Sequence, residues 1–208
     1  EVAAPNSTVD TVKQKIHPVD KTRKSELLIH LIKRNKWHQV LVFSRTKQGA
    51  DNLVSQLENA GISAESIHAS RTQHARTHAL EDFRNGNVIV LVATDIAARG
   101  IDVNQLPCVV NFDLPYVPED YVHRIGRTGR AGTTGLAISL FSEDESKQLQ
   151  SIERFVGRKF ERDIIPGFAP TKKAPAHSSD DDEYGNFEAD PKPRRRGQPK
   201  GRGSYRGH

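Results

Sequence analysis

The sequence of 208 residues contains one cysteine, one tryptophan and no methionine. The single cysteine, Cys108, excludes a disulfide within the chain, which is typical of proteins from a reducing cytosol. No run of about 18 apolar residues is present, the length that a helix needs to cross a membrane. These absences predict a cytoplasmic protein with no membrane contact.

The sequence also lacks two kinds of functional segment. No glycine is followed by lysine, so there is no G-x-x-x-x-G-K-[ST] loop of the kind that cradles phosphates. The first ten residues, EVAAPNSTVD, lack the basic-then-apolar order of a signal peptide, and we expect them to follow a cut inside a longer chain. The net charge of +5 favours a polyanionic partner only weakly, because the charge is unevenly distributed.

Apolar runs alternate with helical patterns through most of the chain. Strands are predicted at 40–43, 64–68, 88–93, 108–112 and 136–141. Helices are predicted at 21–35, around 50–57, at 72–85, from Pro118, and from Ser142, which forms a capping box with Glu145. Residues 1–20 are predicted to be an extended lead-in. This alternation predicts an α/β domain over residues 1–168, with an open parallel sheet and helices on both faces.

Composition changes near Pro166, and residues 169–208 show no apolar periodicity. This segment is dominated by proline, glycine, serine and charge, and it cannot bury enough apolar surface to offset the entropy of ordering. We therefore predict a disordered tail. Its last part, residues 191–208, is rich in arginine and glycine and has no acidic residue, a composition that often contacts nucleic-acid phosphates. The alternative is a tail that only keeps the protein soluble.

Polar residues follow three of the predicted strands, at the edge where ligands of open parallel sheets bind. Thr46, Gln73 and Thr94 lie at helix starts, where free backbone N–H groups favour anions. Arg76 lies on the first turn after Gln73. Together these residues predict a track for a phosphate backbone. Asp95, next to Thr94, is expected to pair with an arginine of residues 121–132.

Residues 121–132, YVHRIGRTGRAG, combine one histidine and three arginines with three glycines. We expect a helix from Pro118 that ends near Gly126, followed by a loop that holds Arg127 and Arg130 forward. The guanidinium fork suits phosphate oxygens, although a solvated basic loop is the alternative. His123 is expected to orient other groups through hydrogen bonds, because no activated serine or cysteine accompanies it as a nucleophile.

Asp102 could accept a hydrogen bond from a ribose hydroxyl or could cap its own loop. Neither Asp95 nor Asp102 has a second carboxylate or histidine at metal-ligand spacing, so no metal site is predicted.

These segments together resemble a known family. Val42–Thr46, Gln73-x-x-Arg76, VATDIAARGID (92–102) and HRIGRTGRAG (123–132) are similar, in order and spacing, to the second RecA-like domain of DEAD-box RNA helicases. The resemblance covers residues 10–165. The lead-in and the Pro18–Lys21 region resemble the bacterial RhlE branch most.

The resemblance implies a role for each matching residue. Arg130 would be the arginine finger and Arg127 its companion, both acting on the γ-phosphate of ATP. The ATP, with Mg²⁺, would be bound mainly by an N-terminal RecA-like domain of the same protein. Gly100 and Asp102 would meet the ATP ribose, and Arg99 and His123 would couple the two domains. Five residues would contact the RNA backbone: Thr46, Gln73, Arg76, Thr94 and Asp95.

The sequence departs from the family pattern in two ways. Ala69 stands where the family usually has glycine after His68, which puts a close backbone approach to RNA there in doubt. Neither a DEAD tetrapeptide nor a Ser-Ala-Thr motif occurs, and Asp181–Glu183 in the tail is no substitute.

The implied function is therefore the C-terminal half of an ATP-dependent RNA helicase, inactive as a fragment, whose tail binds RNA or other RNA-processing proteins. Two alternatives stay open at this point. One is a non-catalytic RNA-binding module, and the other is the same domain of a DNA-directed translocase.

Overall fold

The structure is a computed structural model, and it describes residues 10–129 and 134–171. Six strands form one parallel sheet in these residues: β1 Val12–Pro18, β2 Val40–Phe43, β3 Ala64–Ile67, β4 Val90–Ala93, β5 Cys108–Asn111 and β6 Gly135–Phe141. Their order across the sheet is β1-β6-β5-β2-β4-β3.

In the described part of the chain, five α-helices connect the strands: α1 Lys24–Asn35, α2 Lys47–Asn59, α3 Gln73–Arg84, α4 Asp95–Arg99 and α5 Pro118–Ile125. A sixth, α6 Ser146–Val156, follows β6. Two short 3₁₀ turns, Lys21–Arg23 and Glu143–Glu145, precede α1 and α6. Within the described residues, none of the helices has the length and apolar character that crossing a bilayer requires.

The helices pack on both faces of the sheet, as the sequence predicts. The four residues of β2 show this directly, because successive side chains of a strand point to opposite faces. Val40 and Val42 pack in one apolar cluster with residues of α1 and α2, whereas Leu41 and Phe43 pack in another with residues of α3 and α4. All four side chains are buried, which is typical of a central parallel strand.

The first strand differs from the sequence prediction. Residues 12–18 were expected to be an extended lead-in, but they form β1 and pair in register with β6 from Val12–Gly135 to Pro18–Phe141. Only part of β1 is buried, since it lies at the edge of the sheet. Its apolar signal is therefore weak, and its partner lies more than a hundred residues away in the sequence.

Helix starts agree with the sequence more closely. Thr46 and Thr72 cap α2 and α3, and their side chains accept hydrogen bonds from the backbone N–H groups of Gly49 and Ala75 at 3.0 and 3.2 Å. The capping box of Ser142 and Glu145 is present. These caps fix the points at which the chain turns at the carboxyl ends of the strands.

Candidate nucleotide and nucleic-acid interface

The carboxyl ends of β2, β4 and β3 lie side by side, because these strands are neighbours in the sheet. Thr46 precedes α2, Gln73 is the first residue of α3, and Thr94 precedes α4. The Thr94 side chain makes no capping hydrogen bond, in contrast to that of Thr46. The structure thus brings three of the five residues predicted to contact the RNA backbone to the carboxyl ends of neighbouring strands.

Arg124 lies at the centre of this edge, with only 2% of its side chain exposed. Its Nε and Nη2 donate to the two carboxylate oxygens of Asp95, each at 2.7 Å. Its Nη1 donates to Asn111 Oδ1 at 3.1 Å and to the backbone carbonyl of Asp113 at 2.6 Å. Its guanidinium carbon lies 5.0 Å from the centre of the Phe43 ring. One side chain therefore joins the ends of β2, β4 and β5 to α5.

The expected pairing of Asp95 with an arginine is thus present, but the sequence did not single out Arg124 as that partner. A signal was available, because polar Asn111 ends the otherwise apolar strand β5 and Asp113 follows soon after. Polar groups at the end of a buried strand need partners. The arginine-rich segment 121–132, which contains Arg124, follows shortly afterwards and offers suitable donors.

Helix α5 begins at Pro118 and ends at Ile125, with Gly126 as its C-cap, as predicted. Arg127, however, does not project forward from the loop. Its Nη1 donates to the carbonyl of Ile101 and its Nη2 to that of Ala98, both at 3.1 Å. The physical reason is that Ala98 lies in the last turn of α4 and Ile101 in the loop after it, where backbone carbonyls have no further helical turn to bind them and attract a cation. Arg130 lies outside the described residues.

The loop that leads toward Arg130 is anchored by close backbone contact. Gly129 has a φ of +64°, and a Cβ atom on Gly135 would lie 2.4 Å from the Gly129 nitrogen. Real side chains do not tolerate that distance, so both positions need glycine. The Thr128 hydroxyl donates to the carbonyl of Leu106, which also ties this loop to the segment before β5.

Arg99 and His123, the predicted interdomain pair, lie on the exposed surface of α4 and α5. Their side chains are 63% and 72% exposed. Both face Asp120, whose Oδ1 accepts from Arg99 Nη2 at 2.8 Å and lies 3.8 Å from His123 Nδ1. A small cavity of about 20 Å³ opens beside them; its lining residues are Phe43, Asp95, Ala98, Arg99, Asp120, His123, Arg124 and Arg127.

Gly100 and Asp102 follow α4 and flank Ile101, whose carbonyl Arg127 binds. The carbonyl of Asp102 accepts a hydrogen bond from Arg84, and its Oδ1 accepts from Asn104 Nδ2 at 2.8 Å. The Asp102 carboxylate therefore bonds within its own loop, and its contact with a ribose hydroxyl stays a prediction.

The end of β3 carries a second polar cluster. Asp51 Oδ1 accepts from Ser66 Oγ at 2.6 Å and lies 2.9 Å from Nε2 of buried His68. Burial raises the pKa of Asp51, but the Ser66 hydrogen bond, His68 and the charge of Arg71 together hold this pKa below its usual value. This cluster fixes the turn that contains Ala69.

Arg76, the other predicted RNA contact on α3, lies beside Gly100. A Cβ atom on Gly100 would lie 3.9 Å from Arg76 Nη2. The Nε atom of Arg76 is buried and has no hydrogen-bond partner among the residues that the structure describes. The residues predicted to meet RNA and those predicted to meet nucleotide are therefore neighbours.

The six-stranded parallel sheet, with its arginine-containing edge, defines an α/β domain of the RecA-like class. The family model of the helicase conserved C-terminal domain matches residues 23–132. The crystal structure of the E. coli DEAD-box protein SrmB, bound to regulator of ribonuclease activity A, superimposes with a TM-score of 0.75. It is 36% identical in sequence, and the match covers 79% of this chain and 98% of the SrmB chain.

Two curated relatives agree with this result. The ATP-dependent RNA helicase RhlB of Pseudomonas syringae pv. tomato is 43% identical over 166 residues, which are 80% of this chain and 42% of RhlB. The DEAD-box ATP-dependent RNA helicase CshA of Bacillus subtilis is 43% identical over 162 residues, 78% of this chain and 33% of CshA. The chain thus spans less than half the length of these relatives. It belongs to the helicase conserved C-terminal domain family, within the DEAD-box group.

Proposed function

We propose that the chain is the C-terminal half of an ATP-dependent RNA helicase, in which it supplies the arginine finger and part of the surface for the RNA backbone. The network of Arg124 carries this proposal. It joins α5, which leads to Arg127 and Arg130, to the strand ends next to Thr46 and Thr94. Groups that would face nucleotide and groups that would face RNA are thereby held on one rigid edge.

The geometry of the loop after α4 supports the proposed contact with a nucleotide. Gly100 has a φ of −90°, and the nearest neighbours of an added Cβ would lie at 3.8 and 3.9 Å, so packing within this domain does not require glycine. The missing side chain leaves room for a ligand to approach the backbone. Asp102 Oδ2 has no hydrogen-bond partner among the described residues and could accept one from a ribose hydroxyl.

The arginines would supply positive charge where charge develops during phosphoryl transfer. ATP, held with Mg²⁺ mainly by the N-terminal domain, would supply the phosphoryl group. Arg127 uses two of its five N–H groups on the Ala98 and Ile101 carbonyls, which leaves three donors for an incoming anion. Its two bonds also hold the Gly100–Asp102 loop beside the segment that leads to Arg130.

The RNA surface would read the backbone and not the bases. The helix starts at Thr46, Gln73 and Thr94 present backbone N–H groups, and Arg76 adds positive charge. Such contacts position a strand without reading its sequence. The RNA contact of Asp95 stays a prediction, and both of its oxygens already accept from Arg124.

Reconstitution in trans tests the proposal. The chain alone should release no phosphate from ATP, because it lacks the phosphate loop. Adding the N-terminal domain of the same protein should produce RNA-stimulated hydrolysis that Arg127→Ala and Arg130→Ala reduce strongly. RNA-stimulated hydrolysis by the chain alone, lost on Arg130→Ala, would contradict the division of labour that we propose.

The same experiment separates the two alternative functions. A freestanding RNA-binding module would bind RNA with an affinity that neither ATP nor the N-terminal domain changes. A DNA-directed translocase would be stimulated as well by deoxyribose strands as by ribose strands of equal sequence in competition.

Finer assignments follow from the sequence. We propose the RhlE branch from the lead-in and Pro18–Lys21. Because the relatives reported above are named RhlB and CshA, this branch needs a separate test, which the sequence upstream of Glu1 would provide. We further propose a cytoplasmic location and an RNA-binding role for the tail, which lies outside the described residues beyond residue 171.

A further inference from the structure

Asp120 holds a distinctive place between the two residues that would couple the domains. Only 17% of its side chain is exposed, whereas Arg99 and His123 are 63% and 72% exposed. The Asp120 carboxylate contacts both, at 2.8 Å to Arg99 Nη2 and 3.8 Å to His123 Nδ1. A nearly buried anion is thus the shared contact of two exposed side chains on different helices.

The backbone at Asp120 is anchored by the start of α5 and by buried neighbours. Asp120 lies in the first turn of α5, behind Pro118 at the helix start, where the helix dipole favours a carboxylate. The next residue, Tyr121, and Arg124 one turn further along are both buried, and Arg124 makes four hydrogen bonds. Asp120 therefore has a fixed position relative to the edge of the sheet.

We propose that Asp120 is a positioning residue, which orders Arg99 and His123 before the N-terminal domain reaches them. An exposed arginine samples many rotamers, and fixing one such side chain at an interface costs about a two- to tenfold loss of affinity. Because Asp120 already orders these side chains in the folded domain, the entropy loss occurs on folding and no longer weakens domain closure. This inference rests on the proposed function, since it needs a domain that closes on this surface.

The simplest alternative is that Asp120 and Arg99 form a surface ion pair that has no effect on domain closure. Exposed pairs typically contribute little to stability, and stability measurements alone would not reveal a positioning role. The chain offers a matched control in Asp82 on α3, whose Oδ2 lies 3.1 Å from His78 Nδ1. Asp82 belongs to none of the groups assigned to nucleotide, RNA or interdomain contact.

The test compares Asp120→Ala and Asp120→Asn with Asp82→Ala in the complete helicase, by steady-state ATP hydrolysis against RNA concentration. We expect Asp120→Ala to raise the KM for RNA about three- to tenfold while kcat at saturation changes less than twofold. Asp120→Asn, which keeps the size and one acceptor, should show a smaller rise. Asp82→Ala should leave both parameters unchanged.

A variant that lacks both the Arg99 and the His123 side chains tests whether Asp120 acts through them. In a protein that already carries Arg99→Ala and His123→Ala, Asp120→Ala should raise KM no further, because no side chain remains to be positioned. On this chain alone, the Arg99 guanidinium NMR signals should show slowed rotation that Asp120→Ala removes. Unchanged KM in the single variant, or an equal rise in the double background, would overturn the inference.

Different results would contradict the proposed function and the positioning role of Asp120. If Arg127→Ala and Arg130→Ala leave hydrolysis intact, the proposed function fails. If they abolish hydrolysis while Asp120→Ala behaves like Asp82→Ala, only the positioning role fails.

Discussion

Replacing Arg124 by alanine should destabilise the domain by about 3–5 kcal/mol, the usual cost of removing one partner from a buried ion pair. The change removes donors from Asp95, Asn111 and the Asp113 carbonyl, and it opens a void beside Phe43. Asp95 keeps 27% of its side chain exposed, so water can replace part of what is lost. We therefore expect the lower half of that range.

Urea denaturation followed by circular dichroism measures this effect. With a slope of about 2 kcal/mol/M, a loss of 3 kcal/mol lowers the urea midpoint by about 1.5 M. Arg124→Lys should fall in between, because an ammonium group keeps the charge but cannot reproduce the guanidinium fork. Exposed Arg154 on α6 is the matched control, and Arg154→Ala should change the free energy of unfolding by less than about 0.5 kcal/mol.

Equal shifts of the urea midpoint for Arg124→Ala and Arg154→Ala would contradict this prediction. Such a result would mean that the four hydrogen bonds of Arg124 do not hold α5 to the strand ends. The shared edge proposed for nucleotide and RNA would then lose its structural basis.

Three further predictions concern other parts of the chain. Burial lowers the pKa of His17 below 6.5, although the hydrogen bond to the Asp163 carbonyl opposes this shift. As the pH drops below 6.5 the unfolded chain takes up the proton before the folded one, so the free energy of unfolding should fall. In urea titrations at several pH values, His17→Asn should reduce this dependence of stability on pH. Gly135→Ala should cost about 1–3 kcal/mol through overpacking against Gly129, measured by thermal unfolding. Deleting residues 191–208 should weaken RNA binding and flatten its dependence on salt concentration, and an unchanged slope would reject that role for the tail.

The sequence predicts the central sheet well because its strands are continuous apolar runs. The run at 40–43 is β2 residue for residue, and the run at 88–93 contains β4, Val90–Ala93. Edge strand β1 escapes prediction because only part of it is buried and its pairing with β6 is set by tertiary contacts. Local periodicity carries no information about such a partner.

The sequence predicts where residues of the candidate site lie along the fold better than it predicts which groups they bind. Thr46, Gln73 and Thr94 lie at helix starts because capping is a local property of the chain. Which arginine is buried is not a local property. Arg124 and Arg127 have the same side chain three residues apart, yet one binds a carboxylate inside the domain and the other caps a neighbouring helix.

The central proposal is that this domain supplies an arginine to a reaction whose phosphate-binding half lies on another domain. The most direct measurement is the single-turnover rate of ATP hydrolysis by the complete protein with saturating RNA, compared between the wild type, Arg130→Ala and Arg154→Ala. We expect Arg130→Ala to lower the rate by about 10³-fold or more while RNA affinity is retained, as for other arginine fingers, and Arg154→Ala to match the wild type. A rate for Arg130→Ala within about threefold of the wild type would contradict the proposal.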